Sequence, residues 1–143
     1  MGWIYIVEMK SKLLYGLIAV GILTVFYLSW VPNPRIGEVV YMPNWLAKWT
    51  DAQENDTIRT GVPFLGMGIL LGFYLKNKSA SLKWWCLSAL LLILVAVLSE
   101  LGQLFMPFRS CDIRDVIWAS IGTAIGLFFG YLLGRWIPSN STQ

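Results

Sequence analysis

Four apolar runs, at about 13–31, 58–76, 84–105 and 113–136, constrain this chain more than anything else in its sequence. Each comes close to or exceeds the roughly 20 residues a helix needs to cross about 30 Å of hydrocarbon. Hydrocarbon offers the backbone no hydrogen-bonding partner, so runs of this kind cross as helices. Composition agrees, with 57% hydrophobic and 13% charged residues, where soluble domains carry about 25% charged residues. The expected fold is an all-α integral membrane protein of four transmembrane helices forming one domain over 1–143. A cleaved leader would have a shorter apolar region and a small-residue cleavage site. The first run instead leads into Ser29-Trp30-Val31-Pro32-Asn33-Pro34, so it is read as a retained helix ended by its prolines.

The connections fix an orientation. The head carries Lys10 and Lys12, and the connection at 76–83 carries Lys76, Lys78 and Lys83 with no acid. The connection at 32–60 sets Arg35, Lys48 and Arg59 against Glu38, Asp51, Glu54 and Asp56, and the one before the fourth run balances Arg109 and Arg114 with Asp112 and Asp115. Basic excess alternates, and the positive-inside rule then places both termini in the cytoplasm. Tryptophans 3, 30, 84, 85 and 136 lie near the ends of the apolar runs, as interfacial aromatic belts do. Trp45 and Trp49, four apart with Leu46 between, suit a short interfacial helix in the first outer loop, or a loop packing its aromatics over the bundle. The second run is short, so its ends are expected to extend to Ile58 and Lys76, with Pro63 in the first turn. The dispersed basic residues give no nucleic-acid signature. Cys86 and Cys111 fall near opposite membrane faces and are not expected to pair.

One polar stretch, 99–122, interrupts this apolar background with Glu100, Gln103, Arg109, Asp112, Arg114 and Asp115. Ionisable groups at a bilayer edge are costly unless they pair, reach water or bind something, which makes them site candidates by default. Glu100 and Gln103 are three apart, as are Asp112 and Asp115, so each pair shares a helix face. Asp112 is also placed to cap the fourth helix. The short linker containing Pro107 makes the third and fourth helices antiparallel neighbours, with Arg109 as counter-ion between converging acids. Three readings are open: an ion-pair network locking the hairpin; binding of an anionic group such as a lipid phosphate by Arg109 or Arg114, oriented by Glu100, Gln103, Asp112 and Asp115; and an enzyme with Glu100 or Asp115 as general acid/base. A divalent-cation site from Glu100, Asp112 and Asp115 is a variant of the third. Otherwise no metal and no cofactor are expected. Cys111 lacks a histidine partner for nucleophilic chemistry, since the chain has no histidine.

Below the polar stretch, Gly122, Gly126, Gly130 and Gly134 recur every four residues and form a groove on one helix face. Such stripes let helices approach closely, and Asp115 and Ala119 continue this one upward. Gly68 and Gly72 make a second small-residue pair in the second run.

The stretch resembles the VanZ-like family of small bacterial membrane proteins, named after a teicoplanin-resistance protein. The likeness rests on S-E-L-G-Q-L-F at 99–105, R-S-C-D-I-R-D-V at 109–116 and glycines 122 and 126. Glu100, Gln103, Arg109, Asp112, Asp115, Gly122 and Gly126 match the family's Glu-x-x-Gln, Arg-x-x-Asp-x-x-Asp and Asn-x-x-Gly-x-x-x-Gly pattern. The V-P-F-L-G-M-G-I-L-L run at 62–71 is similar to its second-helix pattern. Ala119 stands where the family has asparagine, and the histidine that many members carry is absent; both departures favour binding over catalysis. The resemblance implies low-level glycopeptide (teicoplanin) resistance and association with envelope or exported-polymer systems.

Together these readings describe a cell-envelope protein whose outward-facing site recognises an anionic lipid headgroup or a cell-wall or glycopeptide-related ligand. An enzyme acting on a lipid-linked substrate, and an accessory subunit of an envelope or exopolysaccharide system joined through the glycine stripe, are the alternatives. Membrane lipids and a lipid-linked cell-wall or polysaccharide precursor are the expected partners. The orientation predicts that an impermeant thiol reagent labels Cys111 from outside intact cells. Protection of Cys111 together with labelling of Lys78→Cys would invert it.

Overall fold

The computed structural model describes residues 2–31, 43–52, 55, 58–106 and 111–136, with side chains from residue 12 onward. Prolines 32, 34 and 107, Arg109 and the tail from 137 therefore lie outside the described residues. The helices are α1 (Gly2–Trp30), α2 (Asn44–Asp51), α3 (Ile58–Asn77), α4 (Leu82–Gln103) and α5 (Ile113–Trp136). Among the described residues there is no strand. All but α2 are long and apolar enough to cross a membrane, α1 from Lys12 onward. Two boundaries differ from the sequence reading. The helix of α1 begins at Gly2, because no proline interrupts the charged head and the backbone continues unbroken into the apolar run. Pro63 lies inside α3 and beyond its first turn, because the helix starts at Ile58.

The distribution of side chains inverts that of a soluble domain. Leu90, Leu91, Leu94 and Leu98 on α4, and Ile117, Ile121, Ile125, Phe128 and Phe129 on α5, are exposed. The buried face of α5 is Ala119, Gly122, Thr123, Gly126, Leu127, Gly130 and Gly134. Lipid is as apolar as leucine, so burying leucine there brings no advantage, and helices associate through close packing of small residues.

That packing is concentrated between α3 and α5. Gly122 faces the carbonyl of Gly61, Gly126 that of Leu65, and Gly130 that of Ile69. From the other side, a Cβ on Gly61 would lie 2.9 Å from the Trp118 carbonyl oxygen and one on Gly68 2.9 Å from that of Thr123. Gly134 lies beneath the stem of Lys76. Residue numbers rise together along both helices, so α3 and α5 are parallel. Their glycine hydrogens point at carbonyl oxygens in a repeating ladder, the arrangement in which weak Cα–H···O contacts recur at helix interfaces. The stripe of α5 is thus filled within the chain, by α3.

The remaining helices lean on this pair. Met67 fills the space over Gly21, and Tyr15 meets Tyr74 edge-on at 6.1 Å, so α1 is antiparallel to α3. Trp30 lies over Gly102, which makes α1 parallel to α4. Phe64, Met67, Val25, Leu92, Ala96 and Ala119 form the apolar centre. One end of the bundle therefore collects the end of α1, the start of α3, the end of α4 and the start of α5.

Overpacking a tight core costs about 1–3 kcal/mol. Gly126→Leu is expected to cost at least that, read as a lowered Tm of purified protein in detergent, because its neighbours are backbone atoms that cannot move aside. Gly66, where a Cβ would meet nothing within 4 Å, is the control: Gly66→Ala should leave Tm unchanged or raise it.

Candidate functional site

The described polar residues of the SELGQ segment divide their faces by the helix period. Glu100 and Gln103 turn inward, only 3% and 6% exposed, while Leu101 and Leu104 turn outward. The glycine between them has a separate cause. A Cβ at Gly102 would collide with the Trp30 indole, which lies across it and donates from Nε1 to the Ser99 carbonyl at 3.2 Å. Trp30 is therefore a docked side chain that fixes α1 on α4, with a function beyond membrane anchoring.

Glu100 joins α4 to α5. Its Oε1 accepts from Gln103 Nε2 at 3.3 Å, and its Oε2 accepts from the backbone N–H of Asp112 at 3.0 Å. The start of α5 presents unpaired N–H groups and the positive end of the helix dipole, which suit a carboxylate. Asp112 itself caps α5, its Oδ1 accepting from the Arg114 N–H at 2.9 Å. The Asp115 side chain faces the same cavity as the Glu100 carboxyl.

A cavity of about 330 Å³ opens over these groups. Glu100, Gln103 and Asp115 supply its polar side, and Val25, Leu28, Val62 and Phe64 are among its apolar walls. Its rim holds Leu46, Trp49 and Thr50 of α2 and Arg59 of α3. Arg59 Nη1 donates to the Thr50 carbonyl at 2.6 Å and so ties the end of α2 to the start of α3, while Asn55 Nδ2 donates to the Trp49 carbonyl at 3.0 Å and closes the end of α2 locally. Pro63, also in the wall, has no N–H for the carbonyl one turn before it, that of Arg59. Ala119, one turn along α5 from Asp115, is fully buried in the apolar centre.

Of the residues singled out from sequence, the structure thus brings Glu100, Gln103 and Asp115 to one cavity. Asp112 lies next to them but acts as cap and latch, and does not line the cavity. Arg114 is exposed, and Arg109 lies outside the described residues. Among the described residues no group of three His, Cys, Asp or Glu is arranged to hold a metal ion. Both cysteines are exposed and free. The cation that sequence reasoning missed is Arg59. Its signal was available: it begins an apolar run at the same bundle end as the acids.

Chemically, adjoining carboxyls and an amide accept hydrogen bonds from hydroxyl or ammonium groups. Like charges repel when both carboxyls are ionised, so a donor group entering between them is favoured. A family model described as VanZ/LLP1 matches residues 3–134. Neither a curated protein nor a solved structure matches the chain.

If Glu100 ties the helices as described, Glu100→Ala leaves the Asp112 N–H without its acceptor and should cost about 1–3 kcal/mol, measured by thermal unfolding in detergent. Glu100→Gln keeps one acceptor oxygen and should cost less. Equal Tm values for wild type and Glu100→Ala would contradict the latch.

Proposed function

Since the chain belongs to the VanZ/LLP1 family, we propose that it is a multi-pass cell-envelope protein that binds the headgroup of a phosphorylated, hydroxyl-bearing amphiphile in the cavity under α2. Both termini face the cytoplasm in this reading, and α2 lies at the outer membrane–water interface. The ligand class is a lipid-linked cell-wall or polysaccharide precursor, or an anionic lipid of similar chemistry. Glycopeptide resistance would follow from engaging such envelope lipids.

The observation that carries this reading is the change of wall within one cavity, from Val25, Leu28, Val62 and Phe64 to Glu100, Gln103 and Asp115, with Arg59 at the rim. An amphiphile matches both halves. Its chain meets the apolar wall, its hydroxyl or amide donors meet the carboxyls and Gln103, and its phosphate is drawn to the positive charge of Arg59. The indole of Trp49 offers a flat apolar face to a sugar ring or the first methylenes of the chain. The volume is at the lower end of the range for small-ligand sites, about 300–1,000 Å³, which suits a headgroup. Arg59 is the cation at this cavity among the described residues, and Arg109 lies outside them. Binding is favoured over acid/base chemistry because Glu100 already accepts from Gln103 and the Asp112 N–H, a holding role.

The test titrates purified protein in detergent with a short-chain polyprenyl diphosphate N-acetylglucosamine, followed by intrinsic tryptophan fluorescence and calorimetry. Losing a hydrogen bond to a charged group costs about 1.5–3 kcal/mol, or roughly tenfold or more in Kd. Asp115→Asn and Trp49→Ala should each weaken binding by about that factor, while Trp45→Ala, on the exposed face of α2, should not. Equal affinity for all variants would remove the cavity from the binding site.

A further inference from the structure

The opposite end of the bundle has its own chemistry. It gathers the end of α3, the start of α4 and the end of α5, and with them Lys76, Lys78, Lys83 and Arg135. Every acid whose side chain is described (Asp51, Glu100, Asp112 and Asp115) belongs to the cavity end. Topology alone would be served by loosely placed lysines, but two of these are held. The stem of Lys76 crosses Gly134, where a Cβ would lie 2.8 Å from its Cγ, and its ammonium sits 5.2 Å from the centre of the Tyr131 ring. Tyr131 in turn meets Trp85 edge-on at 6.0 Å, so one stack joins α3, α5 and α4. Lys78 stands 5.9 Å from the centre of the Tyr74 ring.

We infer that this end is a binding surface for anionic glycerophospholipid headgroups, with Lys76 and Lys78 as its fixed contacts. A ring beneath an ammonium restrains it while leaving its N–H donors directed away from the ring. Pre-placed cations lose less freedom on meeting a phosphate than unrestrained ones. Among the described residues Lys76, Lys78, Lys83 and Arg135 form no ion pair, which leaves their charge open to a phosphodiester. Lys83 and Arg135 on the flanking turns extend the positive surface. Exposed Trp84 and Trp136, in the first turn of α4 and the last of α5, set it at headgroup depth. The surface is independent of the cavity at the other end.

The experiment uses the full chain purified in a zwitterionic detergent, where membrane insertion no longer matters. Retention of phosphatidylglycerol and phosphatidylcholine is compared by native mass spectrometry. Each cation near an anionic headgroup contributes about fivefold in affinity. Wild type should hold phosphatidylglycerol at least tenfold more tightly than phosphatidylcholine. Lys76→Gln with Lys78→Gln should lose most of that preference, and Lys76→Arg with Lys78→Arg should keep it. The Gln variant should still bind the polyprenyl diphosphate sugar at the cavity, which separates the two sites. Equal retention of both lipids by wild type, or an unchanged preference in the Gln variant, overturns the inference. Should the Gln variant not fold, salt decides on wild type alone. The preference must collapse at 1 M NaCl, where screening reaches about 3 Å, and its persistence there refutes the surface.

Discussion

The contact between the backbones of α3 and α5 is what the rest of this structure depends on. In lipid there is little hydrophobic drive between helices, so their association rests on packing distance. Dispersion falls steeply over the first ångström of a gap. Glycines at 61, 68 and 72 on one helix and at 122, 126 and 130 on the other remove the side chains that would hold the backbones apart. The result is a parallel pair onto which α1 and α4 can dock. Because Asp115 and Ala119 continue the α5 stripe above Gly122, the contact also fixes where the start of α5 stands. The cavity is built at that point.

Glu100 then converts packing into chemistry. A carboxylate buried at 3% exposure is expensive unless its oxygens are satisfied. The Asp112 N–H and the Gln103 amide offset that expense at the positive end of α5. The same bonds leave the carboxyl beside Asp115 in a cavity wall. A purely structural latch would not need a 330 Å³ space above it, nor a helix tied across that space by Arg59. The two ends of the bundle divide their work by charge. The cavity end mixes acids with cations around a shaped site, and the opposite end carries cations restrained on aromatic rings.

Much of this was legible in the sequence, and the exceptions have physical causes. The four spans follow from hydrocarbon thickness, which fixes length and composition together. The inward turn of Glu100, Gln103 and Asp115 follows from the helix period. Gly122, Gly126 and Gly130 announced a close contact, but not with whom. A short linker made α4 the natural neighbour, whereas the register of Gly61, Gly68 and Gly72 selects α3, a match that only three dimensions display. Gly102 read as part of a motif, and its cause, the Trp30 indole, lies in another helix. Arg59 was passed over because it sits among the charges of a long connection. Its bond to the Thr50 carbonyl depends on how α2 folds back over the bundle.

The most direct measurement of the central claim, that the glycine contact holds the acidic site in place, is hydrogen exchange at the Asp112 amide in nanodiscs. It is compared between wild type and Gly126→Ala, a change about three turns below Asp115. The account predicts slow exchange in wild type, where that amide donates to Glu100, and markedly faster exchange in the variant as α5 is pushed off α3. Equal exchange in the two proteins would contradict it, and would mean that Glu100 and the start of α5 hold their positions without the contact below.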